Sequence, residues 1–140
     1  MIKSLNIMQS IFKEGGTSGT IENIGYSEIK TDRDFEISPG QWKPIYMKKI
    51  DLGALPNNST KTIAHNISGL EYTFYEAFSI RPSDRYTMPL PSVDDNVDVH
   101  IDNTNVTIKT HSDLTAFTET YIKLFYTKSS DSATSSPRNS

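Results

Sequence analysis

The stretch VDVHIDNTNVTI, residues 97–108, indicates the fold class of this chain most clearly. Apolar and polar side chains alternate on both sides of Asn103-Thr104, a pair of residue types that favours turns. Because successive side chains of a strand point to opposite faces, this pattern predicts two antiparallel strands joined by a short turn. One face of the hairpin carries the apolar residues Val97, Val99, Ile101, Val106 and Ile108.

Segments of the same kind lie on both sides of this hairpin. The most regular is 71–80, where the even-numbered side chains from Tyr72 to Ile80 share one face and Tyr75, Ala77 and Ser79 share the other. Clusters rich in Pro, Asn, Asp and Ser separate these segments, as turns do. The sequence therefore predicts further strands at Ile45–Leu52, Thr60–His65, Glu71–Ile80, Tyr86–Leu90 and Phe117–Thr127.

Several short strands separated by turn clusters are typical of a two-layer β domain. We expect an all-β fold, a small antiparallel β-sandwich that is jelly-roll-like, with a short N-terminal anchor segment. Three parts are predicted: an N-terminal anchor and Gly-rich hinge at 1–25, the β-sandwich at 26–128 and a Ser-rich tail at 129–140. The tail offers no apolar cluster, so we expect it to be ordered only against a partner.

The first fourteen residues place apolar side chains at intervals of four, three and four, which is the spacing of one helical stripe. Glycines at 15, 16 and 19 follow and end any helix. Three interpretations stand: a frayed terminus, an apolar peg that docks on a partner or on copies of itself, and a cleaved leader. The candidate anchor residues of the peg are Met1, Leu5, Met8, Ile11 and Phe12.

Length and composition exclude several classes of protein. The 140 residues suffice for one domain, and a net charge of −3 argues against generic binding of nucleic acid. The sequence has no cysteine, which excludes disulfides, thiolate metal sites and a cysteine nucleophile. No apolar run approaches the length of a membrane span, and the N-terminus is a poor signal peptide.

No motif of an enzyme active site is recognisable. The sequence has neither a G-x-S-x-G elbow, a P-loop nor a G-x-G-x-x-G segment, and His65, His100 and His111 do not have the spacing of metal ligands. We therefore expect no catalytic residue, no metal and no cofactor.

The even-numbered residues from Asp94 to Asp102 form a polar face of the predicted hairpin. Their Asp-x-Asn-x-Asp order opens a calcium loop in other proteins, but Val99 stands where that loop requires Gly. Two interpretations remain: the solvated, aggregation-blocking face of an edge hairpin, and a weak site for calcium or another ligand.

Aromatic residues, 10% of the chain, exceed what one small core needs. They either fill the core and contacts between subunits or form an exposed platform on which a sugar ring or a peptide stacks. The candidate surface or oligomer contacts are Trp42, Tyr46, Tyr75, Tyr121 and Phe125.

Residues 42–58, WKPIYMKKIDLGALPNN, resemble a module of virion fibre and tail-associated proteins of tailed bacteriophages. In those proteins a W-x-D-G-K-P-I-Y segment leads into D-G-A-L-P-N and then a short K-x-V-x-H-x-I strand, which residues 61–67 match in part. A hairpin and a closing strand that ends in Y-T-K follow, as in Tyr126-Thr127-Lys128. The resemblance covers roughly residues 26–128 and departs at Gln41-Trp42, which replaces the usual Asp-Gly before Lys43.

The resemblance implies a structural protein of the virion, often a trimer, without enzymatic activity. We expect a small fibre, decoration or tail-tip protein on the head or the tail, anchored by its N-terminus and projecting the β domain. Its expected partners are copies of itself in a homotrimer, other capsid or tail proteins, and a host-surface glycan or protein. The alternatives are a host-glycan or receptor-binding module and a small cell-wall hydrolase.

Overall fold

The computed structural model describes residues 27–138, and all of the regular secondary structure within them is β-strand. The predicted all-β fold of two antiparallel sheets is therefore confirmed. No helix in this part of the chain is long and apolar enough to cross a membrane. The eight strands are β1 (Ile29–Ser38), β2 (Gln41–Asp51), β3 (Thr60–Ala64), β4 (Leu70–Arg81), β5 (Tyr86–Leu90), β6 (Asp98–Ile101), β7 (Asn105–Lys109) and β8 (Glu119–Lys128).

Two sheets contain these strands, in the orders β1-β2-β8-β4-β5 and β3-β7-β6. The last strand, β8, lies in the middle of the larger sheet, between β2 and β4. The pairs β2–β8 and β3–β7 are nested along the chain, as in a jelly roll, whereas β4–β5 and β6–β7 are local hairpins. Each sheet is therefore built in part from strands that are far apart in sequence.

The hydrophobic core lies between the sheets and combines side chains from both. Ile122, Leu124 and Tyr126 of β8 are fully buried, and they cluster with Val106 and Ile108 of β7. The buried hydroxyls of Ser79 and Thr120 lie 2.6 Å apart across β4 and β8, so that each has a hydrogen-bond partner.

The DLGALPNN segment, residues 51–58, carries the chain from the larger sheet to the smaller one. Gly53 has a φ of 68°, and its N–H donates to the Asp51 carboxylate at 2.9 Å. Leu55, 2% exposed, then enters the core, and its N–H donates to the Phe117 carbonyl at 2.9 Å. Thr110 Oγ1 donates to the Pro56 carbonyl at 2.8 Å. These residues, which carry much of the resemblance, build the connection between the sheets.

Strand β1 was not predicted from the sequence. It pairs with β2, but its register shifts between Lys30 and Asp34 and again between Glu36 and Ser38. Side chains of β1 are mostly exposed, as expected for an edge strand with many charges.

The described part of the Ser-rich tail, residues 129–138, lies against the chain's own β1 and β2. Trp42 and Thr134 exchange two backbone hydrogen bonds of 2.8 Å, and Arg138 pairs with Asp34 at 2.6 Å. The expectation that this segment is ordered only by a partner is therefore wrong, because polar contacts to its own sheet replace the missing apolar burial.

The polar face predicted from Asp94 to Asp102 is shorter in the structure. β6 begins at Asp98, and residues 93–96 form a turn in which Asn96 has a φ of 55°, closed by a β-bridge between Ser92 and Val97. The predicted turn of the hairpin is confirmed, since Asp102 Oδ1 accepts the N–H groups of Thr104 and Asn105 at 2.9 and 2.7 Å.

We expect Leu124→Ala to destabilise the domain by about 2–5 kcal/mol, because it leaves a cavity in the core against the middle of β8. Urea unfolding followed by tryptophan fluorescence measures the change in the free energy of unfolding. Val93→Ala, at a position that is 93% exposed, is the control and should change that free energy little. Equal stability of the two variants would contradict this account of the core.

Candidate functional site

The larger sheet has one covered face and one open face. Ile50, Ile122 and Leu124 point toward the smaller sheet, and the alternate residues of the same strands point away from it. We call the side of the larger sheet that points away from the smaller sheet the outer face. Among residues 27–138 no strand packs on it. Phe74 and Phe78 of β4 lie there and are 44% and 38% exposed.

Six aromatic side chains of the outer face contact one another in two groups. In the first group, Phe35 lies 5.7 Å from Tyr72 and 6.2 Å from Phe74, measured between ring centroids. In the second, Phe78 lies 5.7 Å from Tyr121. Together with Phe125 these rings form the aromatic face, defined as Phe35, Tyr72, Phe74, Phe78, Tyr121 and Phe125.

The register of the three central strands arranges the outer face in rows that run across the sheet. One row is Met47-Phe125-Phe74, and a second is Asp51-Tyr121-Phe78. Between them lies a charged row, Lys49-Lys123-Glu76. Lys49 Nζ lies 4.5 Å from the centre of the Tyr121 ring, which is a cation–π contact. The outer face thus has one charged row between two rows that contain aromatic residues.

The orientation of the rings restricts what can bind this face. Phe74 and Phe125 are 5.5 Å apart with an angle of 14° between their planes, so they overlap face to face. Part of each ring face is thereby used within the pair. A sugar ring stacks on an open aromatic face, so this pair offers less area for such stacking than two separate rings would.

An ion pair between a buried lysine and a more exposed glutamate lies at one end of the aromatic face. Lys43 is 7% exposed, and its Nζ lies 3.0 Å from Glu71 Oε1 and donates to the Lys128 carbonyl at 3.2 Å. Thr127 Oγ1 donates to the same Glu71 oxygen at 3.0 Å. Because both charges are compensated, the Phe35 and Tyr72 rings can meet beside them without leaving an unpaired ion.

The five aromatic residues predicted as contacts lie in three places. Tyr121 and Phe125 belong to the aromatic face. Tyr46 and Tyr75 lie on the opposite, inner side, packed against the core. Trp42 lies at the start of β2, where it pairs with Thr134 of the tail. The predicted anchor residues Met1, Leu5, Met8, Ile11 and Phe12 lie outside the described residues.

Four residues of the aromatic face were not named as contacts from the sequence: Phe35, Tyr72, Phe74 and Phe78. The alternation on β4 placed the last three together but did not reveal which face is covered. Glu76 carries that information, because a carboxylate between Phe74 and Phe78 would be costly to bury between two sheets. Phe35 gave no such signal, since it lies in the strand that the sequence did not predict.

The buried histidine, His65, makes hydrogen bonds that connect two loops of the fold. His65 is 1% exposed; its Nδ1 accepts the Ile67 N–H at 3.1 Å, so its Nε2 donates to the Asp102 carbonyl at 2.8 Å. It thereby joins the β3–β4 connection to the β6–β7 turn. Within residues 27–138, no three His, Cys, Asp or Glu side chains converge as a metal ion needs.

No protein-family model, no curated protein and no solved structure matches this chain.

Two tyrosine hydroxyls on the inner side donate hydrogen bonds to carboxylates. Tyr46 donates to Asp131 Oδ2 at 2.8 Å, and Tyr126 donates to Glu28 Oε2 at 2.5 Å. Burial, followed by the hydrogen bond to Asp131, raises the pKa of Tyr46 from 10.0 to about 12. Burial, followed by Glu28, also raises the pKa of Tyr126. Both hydroxyls therefore keep their protons in the folded state.

This arrangement predicts a loss of stability in alkali. The folded state retains protons that the unfolded chain releases above about pH 10, so stability is complete below that pH and falls as the pH rises toward about 12. Chemical unfolding at a series of pH values measures this decline. Tyr46→Phe should cost about 0.5–1.5 kcal/mol at neutral pH and make the alkaline decline shallower. A wild-type stability that stays constant over this range would contradict the assignment.

Proposed function

We propose that this protein is a structural component of a bacteriophage virion, either a small fibre, a decoration protein or a tail-tip protein. Residues 1–25 attach it to the particle, and the β-sandwich projects from that attachment and associates with two further copies. The exposed aromatic face is the observation that carries the proposal. The resemblance of residues 42–67 to the phage fibre module supports the choice of the virion as its location.

The aromatic face is suited to contact between copies for two reasons. Three of its rings, those of Tyr72, Phe74 and Phe78, are each more than one third exposed, and exposed aromatic side chains are common at protein–protein contacts. The charged row carries Lys49, Lys123 and Glu76, and Asp51 lies at the end of the neighbouring aromatic row, so that these rows carry two lysines and two acids. Because these charges balance, a second copy brings no net excess of one sign to the contact.

Around a threefold axis, each outer face contacts the faces of two neighbours, and the aromatic rows become the centre of the assembly. Burial there adds apolar area that a small single domain lacks. This arrangement accounts for the aromatic residues that lie outside the core between the two sheets.

We expect the full chain to sediment with about three times the chain mass of 15.7 kDa in analytical ultracentrifugation. Phe74→Asp should weaken association by at least about tenfold, since it places a charge in the centre of the contact. Val93→Asp introduces the same charge at an exposed loop position and is the matched control. A wild-type protein that remains monomeric at high concentration, or a Phe74→Asp variant that associates normally, would refute the contact.

Deletion of residues 1–14 tests the attachment to the particle. The truncated protein should keep its β-sandwich, seen by circular dichroism, yet be absent from purified phage particles, as measured by mass spectrometry of the virion. Full-length protein carrying Val93→Asp is the control for incorporation. Normal incorporation of the truncated protein would show that the anchor lies elsewhere.

The glycan-binding alternative makes a different prediction for the same face. A glycan array probed with the full chain should remain empty if the aromatic face contacts protein. Binding of a defined glycan that Phe74→Asp abolishes would instead assign the face to a sugar. A zymogram on cell-wall polysaccharide should likewise show no clearing, and clearing would favour the hydrolase.

A further inference from the structure

Strand β1 has a strand partner on one side only. It lies at the edge and pairs with β2, and that pairing is interrupted between Lys30 and Asp34. Most of its side chains are exposed. An edge strand of this kind opens more readily than the strands in the centre of a sheet.

Arg138 occupies the interruption in the β1–β2 pairing. Its Nη2 donates to the carbonyls of Thr31 and Arg33 at 2.9 and 2.7 Å. Its Nε and its backbone N–H donate to the two carboxylate oxygens of Asp34 at 2.6 and 2.5 Å. One residue therefore satisfies two carbonyls and both oxygens of a carboxylate in the irregular part of β1, which is the kind of recognition that a planar guanidinium allows.

Asp34 depends on this contact because its side chain is only 3% exposed. A covered carboxylate that loses its cation is strongly unfavourable, and it regains solvation only if the strand around it moves. The environment of Asp34 thus couples the position of β1 to the presence of Arg138.

The segment that carries Arg138 is itself fixed to β2. Asp131 accepts the Tyr46 hydroxyl at 2.8 Å, and Thr134 exchanges two backbone hydrogen bonds of 2.8 Å with Trp42. Residues 129–138, which we call the strap, therefore run from the end of β8 across the start of β2 to β1.

We propose that the strap is a latch that keeps β1 in the sheet, with Arg138 on Asp34 as its closing contact. The latch is a property of the free domain. The purpose of the latch rests on the proposed function. If residues 1–25 attach to a particle, a force on that attachment acts first on β1, the strand that follows them in the chain. An edge strand pulled from one end separates one pair of hydrogen bonds after another, and the strap opposes that separation at the irregular region.

Hydrogen exchange of the full chain, measured by mass spectrometry, tests the latch. In Arg138→Ala, peptides covering β1 (29–38) should exchange about ten- to a hundredfold faster than in the wild type, because a hydrogen-bonded charge pair is lost. Peptides covering β8 (119–128) should exchange at the wild-type rate. The control is Arg85→Ala, which removes a guanidinium that is 68% exposed and lies 3.9 Å from Glu119; it should leave β1 unchanged.

Two further variants separate the latch from a general effect on folding. Asp34→Asn removes the charge of the partner and should also accelerate exchange in β1, and Arg138→Lys, which keeps a charge without the fork, should give an intermediate rate. Unchanged exchange of β1 in Arg138→Ala would overturn the proposal. Equal acceleration of β1 and β8 would overturn it as well, since Arg138 would then support the whole domain. These measurements use the free protein, so failure of the virion proposal would leave their outcome intact.

Discussion

The central position of β8 is the constraint on which the rest of the structure depends. Both of its edges are paired, with β2 and β4, and its inner side chains are buried beneath the smaller sheet. Its outer side chains therefore lie in the middle of the outer face of the larger sheet. A strand with bulky residues on both sides fits that position, because one side fills the core while Tyr121 and Phe125 give the outer face its aromatic character.

Sequence patterns predict the strands whose side chains alternate without interruption, and they fail where polar contacts replace alternation. The 97–108 hairpin and the long strands β4 and β8 follow from their period of two. β1 is not predicted because the residues from Thr31 to Asp34 interrupt the alternation. Arg138, more than a hundred residues away, donates hydrogen bonds to the carbonyls and the carboxylate of this segment. No local pattern contains such a contact, and the same holds for the order of the strands.

The candidate surface was predictable in part, since the sequence showed an excess of aromatic residues and placed Tyr72, Phe74 and Phe78 on one side of a strand. It did not show that this side is the open one, nor that Tyr46 and Tyr75 point inward. The choice between the faces depends on where the second sheet packs, which is decided by contacts such as those of Ile122 with β7 residues. A charged residue within an aromatic run, here Glu76, is the local sign of the open side.

The position of β8 also has a consequence for synthesis of the chain on the ribosome. The hairpins β4–β5 and β6–β7 join neighbouring segments and are able to form as soon as they emerge. The larger sheet cannot form completely at that stage. β8 lies between β2 and β4, and it is translated after the other seven described strands. Until then the aromatic residues of β4 lack the cross-strand rings of β8, and exposed side chains of this kind favour association between nascent chains.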